Sequence, residues 1–246
     1  MENTFITGLS GQMALHQQMD IVANNIANMS TPGFKAQNAV FSEYMQKPGP
    51  SIETDTDDPT SLVMTYGQFQ NDAQGPIKKT GNPLDVALEG PGYFGVNTPD
   101  GVMYTRAGNF SVSAEGELVT SSGMKVAGEG GGPISIPADA REIKIGHDGT
   151  IATDQGAAGK LMIVEFESSQ ALEARGNGLY FSDTDGVPTE GKTRALQGTL
   201  EGSNVQPVLE MTRMIDISRS YQRTQQMLQS EHERQRSMIQ RLSKPR

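Results

Sequence analysis

The side chains that most often do chemistry are sparse in this chain. Histidine occurs at 16, 147 and 232 with no HxxxH or HxxE neighbour, and cysteine is absent. Thiol nucleophiles, disulfides and Cys-ligated metal centres are therefore excluded, and imidazole triads lack partners. The run Gly128-Glu129-Gly130-Gly131-Gly132-Pro133 is flexible enough to cradle phosphate, but no Lys-Ser/Thr pair follows. It reads as a surface loop before a strand at Ile134-Ser135-Ile136. In Asp183-Thr184-Asp185-Gly186 the glycine falls fourth rather than sixth for a calcium loop, and no Glu occupies the twelfth place. Glu165 and Glu167 alternate as a solvated strand face does, which is a simpler reading than a glycosidase pair. No catalytic, cofactor-binding or metal-ligating set is expected.

A basic stripe formed by Arg213, Arg219, Arg223, Arg234, Arg236 and Arg241 lacks interleaved aromatics apart from Tyr221, and the whole chain carries a net charge of −9. These residues read as a solvated or subunit-facing helix surface, not a nucleic-acid site. The charge is unevenly spread: residues 205–246 carry +4 and residues 1–204 carry −13. Glycine follows the same division, with 24 of 28 lying between Gly67 and Gly202 and none from Ser203 onward. Gly-free sequence suits a long helix, whereas Gly-punctuated sequence suits turns between strands. With 246 residues the chain has room for one or two domains at roughly 100–200 residues each. No run approaches the roughly 18 apolar residues of a membrane span, so no membrane insertion is expected. The first basic residue is Lys35, so a Sec-type leader is not expected either.

The elements follow from periodicity. Residues from about Asn3 to Asn28 read as a helix with Leu15, Met19, Val22 and Ile26 on one face, stopped by Ser30-Thr31-Pro32-Gly33. The last segment reads as a second helix whose 3-4 seam takes Met211, Met214, Ser218, Tyr221, Gln225, Leu228, His232, Gln235, Ile239 and Leu242. Pro207 suits its first turn. Lys47 to Ser61 is rich in Pro, Asp, Ser and Thr and reads as linker within an extended region 34–79. From 80 to 196, short apolar runs such as Leu84–Leu88, Tyr93–Val96 and Leu161–Phe166 alternate with turns at Asp100-Gly101, Asp148-Gly149 and Asp185-Gly186. The fold class is α+β: a coiled-coil-like pair of N- and C-terminal helices with a mainly antiparallel β domain inserted between them. The proposed divisions are 1–33, 34–79, 80–196 and 197–246.

Asparagines at 24, 25 and 28 crowd one end of the first helix, where Asn is a poor helix former. One reading is a fraying last turn; the other is hydrogen bonding across a packed helix interface.

Three stretches carry a resemblance. Ala23-Asn24-Asn25-Ile26-Ala27-Asn28 continuing to Thr31-Pro32-Gly33-Phe34-Lys35 resembles the N-terminal signature of the bacterial flagellar rod and hook protein family. Asn82 to Phe94 followed by Tyr104-Thr105-Arg106-Ala107-Gly108-Asn109-Phe110 is similar to the segment that opens the family's β domain. Leu200-Glu201-Gly202-Ser203-Asn204-Val205, with Glu210-Met211, Met214-Ile215, Arg219 and Tyr221, is similar to its C-terminal signature. The length fits a rod member with one β domain, and the opening Met1–Ser10 favours the proximal-rod branch over the distal. The resemblance implies a structural subunit of the flagellar basal body, exported by the flagellar type III apparatus without a cleavable signal. Its partners would be itself and other proximal and distal rod proteins in the periplasm-spanning rod. It further implies subunit-interface roles for Leu15, Met19, Val22, Asn24, Asn25, Ile26, Asn28, Thr31, Gly33, Phe34, Asn204, Val205, Met211, Met214, Tyr221 and Leu228. Two other classes compete: a free-standing coiled-coil adaptor with a ligand-binding β domain, and a cell-wall hydrolase, for which no activated nucleophile, metal set or paired acid is present.

Overall fold

Two helices frame the chain, α1 at Glu2–Ala27 and α2 at Pro207–Leu242. The computed structural model describes residues 2–46, 60–137, 139–168, 172–184, 186–189 and 191–242, which divide into two compact units. One unit is drawn from residues 1–27, 37–69 and 206–246, the other from 28–36 and 70–205.

In the helical unit α1 and α2 pack together, as the terminal periodicities predict. They run antiparallel, since Gly8 near the start of α1 lies against Leu228 while Asn25 near its end meets Glu210. Gly8 permits the close approach, because a Cβ there would come within 2.7 Å of Leu228 Cδ2. The seam of α2 differs from the expected one. Met214, Ile217, Ser218, Tyr221, Thr224, Leu228, Glu231 and Gln235 are half-buried along it, while Gln225, His232 and Ile239 are exposed. The line therefore runs through Thr224 and Glu231 instead of Gln225 and His232, while Ile217 joins Ser218 one turn earlier. At the first of these, Thr224 is shorter and less polar than Gln225. On α1, Gly8, Ala14, Ile21, Val22 and Asn25 are buried. Among the described residues no helix is long and apolar enough to cross a membrane.

The helical unit also contains β1 (Gln37–Gln46) and β2 (Thr60–Gln70), paired as a two-stranded sheet. Both strands lie within the region 34–79, read from sequence as an extended linker. Half-buried Ala39 and Phe41 alternate with exposed Val40 and Ser42, a pattern too short to stand out beside the Pro- and Asp-rich sequence that follows. Most of that Lys47–Ser61 stretch lies outside the described residues.

The second unit is antiparallel β throughout. β3 (Ile77–Lys79) pairs with Thr199–Glu201 and β4 (Val86–Glu89) pairs with Arg194–Gln197. β5 (Tyr93–Thr98) and β6 (Gly101–Thr105) form a hairpin at the centre of the largest sheet. A three-stranded meander is formed by Ile143–Ile145, Thr150–Thr153 and Gly156–Lys160. The core gathers Val86, Leu88, Phe94, Leu118, Val126, Ile151 and Leu161, all buried. A second cluster stacks Tyr93 edge-on against Tyr180, with ring centroids 5.8 Å apart, and Tyr104 edge-on against Phe166 at 4.8 Å. Such pairs add specificity beyond their buried area. The unit extends past the expected 80–196 on both sides, taking in the segment after α1 and the segment before α2. Where a strand was expected at Ile134-Ser135-Ile136, Ile134 and Ile136 are buried while Pro133 and Ser135 form isolated bridges rather than a strand.

Candidate functional site

Three charged side chains, one from each signature, meet in the interior of the β unit. Lys35 Nζ donates to Glu201 Oε1 at 2.6 Å and to the Ala73 carbonyl at 3.0 Å. Arg106 Nη1 donates to Glu201 Oε2 at 3.3 Å, and its Nη2 donates to the Gly90 carbonyl at 2.6 Å. Gly75 N–H donates to Glu201 Oε1 at 2.9 Å. Both side chains of the Lys35–Glu201 pair are only 1% exposed. Around this hub the backbone is tied as well: Gly33 N–H donates to the Glu201 carbonyl, and Ala36 N–H donates to Asn204 Oδ1 at 2.7 Å. Asn204 Nδ2 in turn serves the Asn71 and Ala73 carbonyls. Phe34, Ala36 and Val205 close a small apolar cluster beside it.

Local sequence explains how each arm is positioned. Asn28 and Thr31 form a turn, with Thr31 N–H donating to the Asn28 carbonyl and Thr31 Oγ1 to Asn28 Oδ1. Gly33 then takes a φ of +68°, the left-handed region that favours glycine, and lies directly on the backbone of Arg106 and Ala107. Gly108 is required for a similar reason, because a Cβ there would strike the Val86 carbonyl. Val86 N–H bonds to the Gly108 carbonyl, which sets Arg106 two residues upstream against the sheet.

The hub holds two cations against one carboxylate. Burial pushes the Lys35 ammonium below the ordinary lysine range; Glu201 opposes this, but nearby Arg106 adds to the lowering. Arg106 also lies over the Tyr93 ring, 5.0 Å from its centroid, and its Nε has no hydrogen-bond partner among the described residues. Burial raises the phenols of Tyr93 and Tyr180. The sign of the pH dependence follows. Below about pH 10 the unfolded chain binds more protons at position 35 than the folded one, so stability rises with pH through that window. Above about pH 10 the unfolded chain loses phenolic protons that folded Tyr93 and Tyr180 retain, and stability falls. Urea midpoints of the β unit are expected to rise from neutral pH to about pH 9.5 and to drop by about pH 11. A steady fall over the whole range would contradict this assignment.

The helical unit has its own polar node. Asn25 is buried; its Nδ2 donates to the Gln37 carbonyl at 2.9 Å and to Glu210 Oε2 at 3.3 Å, and its Oδ1 accepts from Gln37 N–H at 2.9 Å. Glu210, also buried, accepts from Arg213 at 2.7 Å. Of the two readings of the asparagine cluster, bonding across the helix interface holds at Asn25. Asn25→Asp would lose both donations and set a second carboxylate against Glu210. A cost of about 3 kcal/mol or more is expected, read as a lower helix melting temperature by circular dichroism. An unchanged transition would show that the node carries no weight.

The sixteen residues singled out from sequence fall into two groups. Val22 and Asn25 are buried in the helical unit, and Leu15, Met19, Ile26, Met214, Tyr221 and Leu228 are half-buried there. Asn24 is exposed, as is Met211 at 47%, because Glu210 takes the inward place beside it. Asn28, Thr31, Gly33, Phe34, Asn204 and Val205 belong to the β unit. The hub residues Lys35, Arg106 and Glu201 are missing from that set. Their signal was a charged residue inside each of three glycine- and apolar-rich signatures.

The chain thus combines terminal helices that pair with each other and a β unit, inserted between them in sequence, that takes in the segments flanking them. Three family models agree in chain order: "Flagella basal body rod protein" at residues 5–35, "Flagellar hook protein FlgE/F/G D1 domain" at 87–153, and "Flagellar basal body rod FlgEFG protein C-terminal" at 196–241. A flagellar basal-body rod protein FlgF from Caulobacter vibrioides is 38% identical over 245 residues, covering 99% of each chain. The FlgF of Mesorhizobium japonicum is 32% identical over 91% of each, and the FlgG of Bacillus subtilis is 33% identical over 95% of this chain and 96% of its own. The chain belongs to the flagellar basal-body rod protein family.

Proposed function

We propose that the chain is a structural subunit of the flagellar rod, placed in its proximal part, that polymerises through its terminal helices into a hollow shaft. The observation that carries this reading is apolar surface left uncovered on both helices. On α1, Phe5, Ile6, Leu9 and Met13 are exposed, Met13 by 68%. At the start of α2, Val208, Leu209, Met211 and Ile215 are exposed, Val208 by 79%. Exposed apolar residues grouped along a helix in this way suit a surface that a partner covers. Repeated heterologous contacts that do not close generate a helical tube. The chain's partners in this reading are further copies of itself and neighbouring rod proteins, reached after export by the flagellar type III apparatus. The full-length similarity to proteins named FlgF favours the proximal position, while relatives named FlgG support a distal position as the second reading.

A Leu9→Asp, Ile215→Asp double variant tests the helix faces. Both residues are exposed, so the β unit is expected to melt as in the parent while incorporation into isolated basal bodies and swimming are lost. Normal incorporation and motility with the double variant would overturn the proposal.

A further inference from the structure

The β unit has a groove of about 460 Å³, within the size range of small-ligand sites, that takes no part in the hub or in the helix faces. Met162 and Pro188 supply apolar lining, and His147, Asp148, Lys160, Glu129 and Arg194 supply charge and polarity. Three of these polar groups already have partners. Lys160 is paired with Glu129 at 3.0 Å, and Asp148 accepts from Thr150 N–H and from Thr150 Oγ1 at 2.6 Å. Two groups are left to face the groove. The Arg194 guanidinium has no hydrogen-bond or ion-pair partner among the described residues. His147 Nδ1 lies 3.1 Å from the Ala195 carbonyl and donates to it, so a singly protonated ring presents Nε2 as an acceptor.

A ligand that satisfies both groups must bring an anion suited to a planar guanidinium and an N–H donor close to it, joined to an apolar part. The free C-terminus of a peptide has this composition: a carboxylate, its own residue's N–H, and a side chain. Arg is well matched to carboxylate because two parallel N–H bonds can form. We propose that this groove binds peptide C-termini, with the carboxylate on Arg194, the terminal N–H on His147 Nε2 and the side chain against Met162 and Pro188. The site is separate from the polymerisation reading and does not depend on it.

The three histidines make the test direct, since each gives its own imidazole signals in a proton–carbon correlation spectrum of the full chain. The probes are acetyl-alanyl-leucyl-alanine with a free carboxylate, the same peptide as its C-terminal amide, sodium acetate, and chitotriose. The free acid is expected to shift the His147 signals saturably while those of His16 and His232 stay in place. The amide and acetate should each bind at least about tenfold more weakly, as should the free acid to an Arg194→Gln variant whose spectrum shows a folded chain. Four results would overturn the proposal: no His147 shift up to millimolar peptide, equal affinity for acid and amide, equal affinity for acetate, or an unchanged response in Arg194→Gln. A saturable response to chitotriose with none to the peptide would overturn it too, in favour of a glycan site.

Discussion

Replacing Glu201 with glutamine is expected to cost about 3–5 kcal/mol, which lowers the melting temperature of the β unit by about 10 °C or more. The size of the effect comes from stoichiometry. Lys35 and Arg106 are both buried and share this single carboxylate. Glutamine keeps the shape but leaves two cations in a medium that solvates them poorly, and Gly75 N–H exchanges a charged acceptor for a neutral one. Lys35→Met should be much milder. It removes a cation whose burial is already costly, leaves Arg106 with Glu201, and leaves the Ala73 carbonyl its bond from Asn204. Thermal unfolding of the two variants followed side by side checks the ordering. A Lys35→Met loss equal to that of Glu201→Gln would show that the pair, rather than the carboxylate hub, is the unit that matters.

Gly33→Ala is expected to be at least as damaging, in the class of losses above about 4 kcal/mol that single substitutions seldom reach. Two penalties combine. The left-handed conformation costs a side-chain-bearing residue about 1–2 kcal/mol, and the added Cβ would lie 2.4 Å from the Arg106 carbonyl carbon and 2.5 Å from Ala107 N. The obstacle is backbone, so no rotamer change relieves it. Residues 31–36 must lift away, taking with them the bond from Gly33 to Glu201, the insertion of Lys35 and the Phe34–Val205 contact. Hydrogen exchange is the suitable measurement. Amides in 33–36 and 201–205 should lose protection together, while protection in the Thr150–Thr153 strand is retained. Unchanged protection in both segments would contradict the close approach.

These two cases also show what the sequence makes legible. The terminal helices, the β insert and the punctuation at Thr31-Pro32-Gly33 follow from local periodicity and from backbone preferences that act within a few residues. The positions of Met214, Tyr221 and Leu228 follow too, since a seven-residue repeat fixes them. The intervening seam positions do not, because Thr224 and Gln225 flank the same line and the repeat alone does not say which of them faces α1. The strands β1 and β2 were hidden by the polar sequence beside them, which outweighed a short alternation. The hub was hidden for a deeper reason. Lys35 and Glu201 stand 166 positions apart, and no local pattern reports that two charges will be buried on one another. A lysine is ordinarily solvent-facing, so its identity argues against burial until the partner is known. Gly33 and Gly108 show the reverse: their type is informative, but what crowds them becomes clear only when Arg106 and Val86 are in place.

The central claim is that this chain is a building block of the rod. Basal bodies purified from cells that express the tagged chain at its native level provide the most direct test, by mass spectrometry together with labelling of the tag along the rod. The chain is expected in stoichiometric amount with the other rod proteins, with label confined to the end of the rod nearest the cell. Basal bodies with complete rods from which the chain is absent would contradict the account.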